Sequence, residues 1–139
     1  KGSEFLNNNL DYVSVTGEFL FFIKPYDNLF YKNKKKSFKS IVSKHPFERA
    51  SLFFNNYFQI LWGLYRLDIL KKSFEVIKTN KPENDNFIEL TLGSILCFYG
   101  KIHYSTDIWG FREVNLKNTW GSRHKPINLV SFIDLTRFI

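Results

Sequence analysis

Glu89–Lys117, ELTLGSILCFYGKIHYSTDIWGFREVNLK, is the stretch whose reading decides the fold. From Leu96 its even positions are Leu96, Phe98, Gly100, Ile102 and Tyr104, with Lys101 and His103 between them. That period of two predicts a strand with one buried face. Ser105, Thr106 and Asp107 then predict a polar turn, and Ile108–Lys117 resumes an extended pattern with Val114 and Leu116 on one side. Gly93 leads in. Gly100 stands mid-strand, where a missing side chain allows a sharp bend or a close backbone approach.

Working outward, Tyr12–Ile23 alternates most clearly. Val13, Val15, Gly17, Phe19, Phe21 and Ile23 share one face; Ser14, Thr16 and Glu18 share the other. Pro25, Asp27 and Asn28 signal a turn, Leu29–Lys32 a short return strand, Asn33–Lys36 a basic loop, and Phe38–Ser43 a third strand. Pro46 with Glu48 close behind signals a helix start. Ile60, Leu64, Leu67, Lys71, Phe74 and Ile77 then fall at spacings of three and four, which predicts two helices between Phe47 and Lys78 broken at Asn55–Asn56 or Gly63. Strands within Tyr57–Tyr65 are the rival reading. Asn80–Asn86 is a loop, and Pro126 opens a final helix, Ile127–Ile139.

The chain has 139 residues, 44% hydrophobic and 19% aromatic with sixteen Phe, which predicts one globular domain. Lys1–Phe5 has the look of a cloning scar, leaving residues 11–139 as the domain and an upstream targeting segment an open matter. No apolar run approaches the roughly 20 residues of a membrane span. A single cysteine, Cys97, excludes an internal disulfide and fits a reducing compartment. The net charge of +7 points to an anionic partner. Three strands, a helix and two more strands give the connectivity of the OB-fold, a five-stranded Greek-key barrel, here with an extra C-terminal helix.

Candidate sites follow from charge and rings. Lys32, Lys34, Lys35, Lys36, Lys39, Lys44 and Arg49 face one acid, Glu48, and are interleaved with Phe30, Tyr31 and Phe38. Phosphate attraction beside ring faces suits a single-stranded nucleic acid, with Tyr31 in the stacking role; a solvated hairpin tip is the alternative. Tyr99, Lys101 and His103 would form a second stacking platform on the outward strand face, or merely cover the barrel. Trp62, Trp109 and Trp120 are core or interface fillers, Trp109 beside Gly110 being the one candidate stacker. His45, His103 and His124 lie in separate segments without metal-ligand spacing, and no phosphate loop or nucleophile motif occurs. No enzyme, metal or cofactor is expected. In the last helix Leu129, Phe132, Leu135 and Ile139 form a stripe that Val130, Ile133 and Phe138 widen beyond one surface, implying a protein partner over 126–139.

Asp11–Gly17 (DYVSVTG), NLFYKNKKKSFKSIV, GSILCFYGKIHYSTDIWGFREVNLKN and INLVSFIDLTRFI together resemble the N-terminal OB domain of the Stn-type subunit of CST, the telomere-capping complex that parallels replication protein A. The resemblance rests on a first strand ending at Gly17, a Gly-x-Ile element at Gly100–Ile102 and a C-terminal helix; Gly17 and Gly100 would be structural. The chain departs from the family in carrying Lys34-Lys35-Lys36 where an acidic, Gly-containing turn is common. The resemblance implies a nuclear, telomeric protein that pairs through its C-terminal helix with a small OB-fold (Ten-type) subunit. It further implies another CST subunit, telomerase or DNA polymerase alpha-primase as partners, and help in single-stranded telomeric DNA binding and C-strand synthesis. Two alternatives stand beside it: an OB-fold domain of a replication or RNA-binding protein, and an α+β interaction domain without nucleic acid.

Overall fold

Residues 12–23 combine β-branched and aromatic side chains at alternating positions, and they form the strand around which the molecule is assembled. The computed structural model describes residues 1–23, 28–30, 38–80 and 85–113. In chain order it contains α1 (Gly2–Asn8), β1 (Tyr12–Ile23), β2 (Asn28–Phe30), α2 (Pro46–Asn55), β3 (Leu64–Tyr65), α3 (Leu67–Asn80), α4 (Asp85–Tyr99) and β4 (Lys101–Glu113). The basic loop, the end of the return strand, Val114–Lys117 and the C-terminal helix lie outside the described residues.

β1 pairs with β4 in parallel, from Tyr12 opposite Lys101 to Phe22 opposite Glu113. It pairs antiparallel with β2 near its end (Phe21 opposite Phe30) and with β3 near its start (Ser14 opposite Tyr65). A single antiparallel bridge, Ile41 to Ile102, is all that the expected third strand becomes. The expected polar turn at Ser105–Asp107 is instead an irregularity inside β4: from Thr16 to Glu18 on β1, β4 advances from Tyr104 to Ile108. Ser105 Oγ holds it locally, accepting from the Asp107 N–H at 3.1 Å and standing 3.0 Å from Asp107 Oδ2.

The five-stranded barrel is therefore overturned. The sheet among the described residues is small, open and mixed, and a closed Greek-key barrel has no place for a full-length parallel β1–β4 pair. The physical cause lies in the deciding stretch. Asp85–Tyr99 is a helix, and its Gly100 N–H donates back to the Leu96 carbonyl at 3.0 Å before Lys101 N–H turns to Asp11 O at 2.9 Å. Leu92, Ile95, Leu96 and Cys97 are all buried, as are Thr91 and Ser94. A helix enclosed on all sides loses its polar face, so its sequence carries no 3.6-residue signal to set against the apparent alternation.

α2 and α3 both pack on α4, and together they cover one face of the sheet. Phe53, Phe58, Ile60, Leu96 and Ile102 form the centre of that core. Gly93 makes the approach of α2 possible, because a Cβ there would run into the Phe53 ring. Gly100 is tight for another reason than the expected bend: a Cβ would lie 2.5 Å from Val13 Cγ1 and 2.9 Å from Asp11 O, at the helix–strand junction. α1 covers the opposite face, where Gly17 leaves room for the Trp109 indole and the Asp107 carbonyl, 2.6 Å from where its Cβ would be.

Cross-strand partners share a face, so Ser14 lies with Ile102 and Tyr65 on the helix side. Ser14 and Thr16, which the alternation placed outside, are thus 0% and 1% exposed. Val15 goes with His103 to the α1 side, and the register shift between Tyr12 and Ser14 leaves Val13 as an extra residue that joins the helical core.

One cation ties the helical layer together. Arg49 on α2 is buried, and its Nε donates to Cys97 O at 2.6 Å, with Nη2 reaching Phe98 O at 3.3 Å. Its Nη1 donates to Ser43 O and Lys44 O, each at 2.9 Å. The guanidinium satisfies carbonyls of the last turn of α4, at the negative end of the helix dipole, and ties them to the chain entering α2. Arg49→Lys is expected to cost about 2 kcal/mol or more in urea unfolding, since an ammonium cannot fork to all four carbonyls. Gly93→Ala is expected to cost about 1–3 kcal/mol despite its better helix propensity. Phe53→Leu should relieve part of that cost, so the double variant should be more stable than the two single losses added together; strict additivity would contradict the contact.

Candidate partner-binding site

Between α2 and α3 the chain runs extended and then turns. Phe58 and Ile60 point into the core, 3% and 0% exposed, while Leu61 and Trp62 are exposed and Tyr57 is half exposed with its hydroxyl turned to Glu89. The turn closes with Gly63 N–H on Ile60 O at 3.1 Å, where a Cβ on residue 63 would press on Val15 O at 3.1 Å. Arg66 fixes the far end. Its N–H donates to Val13 O at 3.0 Å, and its guanidinium reaches Tyr12 O at 2.8 Å, Leu6 O at 2.5 Å and Asn9 O at 3.1 Å. The same side chain therefore caps α1 and clamps the start of β1.

Beneath the turn lies Glu89 of α4, 8% exposed. Burial pushes its carboxyl above the ordinary value of 4.5; the Tyr57 hydroxyl, the Leu61 and Ile60 backbone and the Arg112 charge pull it back. Among the described residues its Oε1 has no hydrogen-bond partner. Burial, then the Glu89 charge, raises the Tyr57 phenol above its ordinary range. Arg112 of β4 donates through Nη1 to Gln59 Oε1 and holds its guanidinium 5.7 Å from the Trp62 ring centre.

The result is an aromatic tip held from below. Trp62 is 53% exposed, with Tyr57 at 40%, Leu61 at 37% and Leu64 at 38% around it. Trp, Tyr and Arg set in an apolar surround is the composition of interface hot spots. Sequence reasoning set Trp62 aside as a filler and missed Glu89 and Arg112. The available signal was a lone charged residue, Glu89, in the otherwise uncharged Phe87–Tyr99, which has to meet donors somewhere.

The expected nucleic-acid residues are not brought together. Tyr31, Lys32, Lys34, Lys35 and Lys36 lie outside the described residues, as do Leu129, Val130, Phe132, Ile133, Leu135, Phe138 and Ile139. Lys39 is exposed. Tyr99 ends α4 rather than standing on a strand, so no Tyr99–Lys101–His103 strand platform exists. Lys101 is bound to Asp11 at 2.5 Å with its ammonium 5.6 Å from the Tyr12 ring, and their hydrogen bond lowers the Asp11 carboxyl. The His103 ring is stacked on Phe5 at 4.1 Å, with Nδ1 3.1 Å from Ser40 Oγ. A recess of about 350 Å³ beside it is lined by Phe5, Val15, His103, Asp107 and Trp109 among others, and Lys1 pairs with Asp107 at 3.7 Å. Burial pushes the Cys97 thiol up to about 12. Among the described residues no three His, Cys, Asp or Glu come together as a metal would require, and no helix is long and apolar enough to cross a membrane.

The buried carboxyl makes a pH-dependent prediction. A folded-state pKa above 4.5 means that Glu89 contributes stability present below about pH 4.5 and lost as pH rises through its raised value. Glu89→Gln does not titrate, so its stability relative to the unaltered chain should improve as pH rises from about 4.5 through the raised carboxyl value and then level off in urea unfolding. A difference that stays flat with pH would place the carboxylate in water. Compared with protein-family models, curated proteins and solved structures, the chain matches none of them.

Proposed function

We propose that this domain is a non-enzymatic protein-interaction module whose partner engages the tip at Trp62. The observation that carries this reading is the exposure of Trp62 in a turn fastened at both ends and braced by Arg112. A large ring held in place before binding loses little conformational entropy on association, which is what an anchor residue requires. Tyr57, Leu61 and Leu64 supply a surround able to exclude water once covered.

Of the telomere-subunit expectation this reading keeps partner binding. The barrel order on which the family resemblance leaned is gone, while the α+β interaction domain matches the open sheet and its helices. A role at single-stranded DNA would rest on the run Lys32–Lys39 and on the net charge of +7.

The test is affinity capture from the source cell, followed by reconstitution with the purified captured protein. Trp62→Ala with Arg112→Ala is expected to weaken that complex by about 2 kcal/mol or more, roughly 30-fold in Kd. The melting temperature of Trp62→Ala alone should stay near that of the unaltered chain, because Trp62 is half exposed, and any loss in the double variant is then the cost of taking Arg112 from Gln59 and Glu89. Undiminished affinity in the double variant would remove the tip from the interface.

A further inference from the structure

α3 carries large apolar side chains on two faces, and only one of these packs against other described elements. Leu70, Ser73 and Ile77 turn towards α4, Ser73 donating to Ile69 O at 2.8 Å. At spacings of four, three and four, Leu67, Lys71, Phe74 and Lys78 form a second stripe along the outside. Leu67 is 63% exposed and Phe74 43%, and both lysines are exposed. Among the described residues neither lysine is in an ion pair. The two acids of the helix, Asp68 and Glu75, fall to one side of the stripe, so its centre line alternates apolar and positive.

We infer that the outer stripe of α3 is the seat of an acidic amphipathic helix of a partner protein. Leu67 and Phe74 sit two turns apart and suit apolar anchors at the same helical spacing in the partner, while Lys71 and Lys78 select carboxylates flanking those anchors. A partner with lysines in those positions would bury like charges against them. This inference rests on the interaction-module reading and names the chemistry of its partner.

The test uses the full chain and a fluorescent helical peptide with Leu at spacings of three and four and Glu on either side, against the same peptide with Lys in place of Glu. Fluorescence anisotropy is expected to show binding of the acidic peptide that weakens with salt, and none of the basic one. Lys71→Glu with Lys78→Glu, and separately Leu67→Glu with Phe74→Glu, should each reduce that binding about tenfold or more. These are surface positions, and an unchanged circular dichroism spectrum confirms that the variants fold. Equal binding of the two peptides, or acidic-peptide binding undiminished in both variants, overturns the inference. So does an oligo-dT probe that binds through Lys71 and Lys78 while the acidic peptide is ignored. The Trp62→Ala, Arg112→Ala variant separates the two readings. Peptide binding that survives in it but fails in the α3 variants keeps the α3 face without the tip. No peptide binding by the unaltered chain rejects the α3 face and leaves the tip to its own test.

Discussion

The parallel pairing of β1 with β4 is the constraint on which the rest depends. Parallel neighbours cannot be joined by a tight turn, because the chain must return to the end of the sheet where it began. Here that return carries β2, α2, β3, α3 and α4, and α4 runs directly into β4. The helix before β4 is consequently pressed between α2, α3 and the sheet, which is why it tolerates no polar face. Parallel pairs are also covered on both sides as a rule. The helical layer covers one side and α1 the other, with Phe5 on His103 and Trp109 in the space that Gly17 leaves.

Burying so many elements strands backbone carbonyls at helix ends, and two arginines answer for them. Arg49 serves the end of α4 and Arg66 the end of α1, each with backbone acceptors rather than a carboxylate. The side-chain hydroxyls are less well provided for. Ser14, Thr16, Tyr65 and Thr91 have buried oxygens with no partner among the described residues, as has Glu89. Unmet polar groups of this kind lower stability. The Glu89 cluster shows where that cost is linked to geometry, since the same carboxylate that lacks a partner on Oε1 draws in the turn that presents Trp62.

Some of this was legible in the sequence. β1 announced itself because two thirds of it is β-branched or aromatic and its first half alternates, and its bounds coincide with Tyr12–Ile23. Pro46 marked the start of α2, and Asn55–Asn56 its end. Which face of β1 is buried was not legible, because both faces are: Ser14 and Thr16 are small enough to lie under helices, and alternation alone assumes that water takes the polar side. α4 was misread for the same reason. On α3 the sequence periodicity mixed two stripes, joining Ile77 of the inner face to Leu67 and Phe74 of the outer one. The candidate site was invisible as a site, since Tyr57, Trp62, Glu89 and Arg112 come from three separate segments that only the crossover brings together.

The direction of β4 relative to β1 is the claim from which all of this follows, and interstrand nuclear Overhauser effects on the isotopically labelled chain report it directly. The parallel register predicts contacts between Ser14 and Ile102 and between Thr16 and Tyr104 at one end of the pair, and between Phe21 and Arg112 at the other. Contacts running the opposite way, from Ser14 to Arg112 and from Phe21 to Ile102, would contradict it and restore an antiparallel sheet.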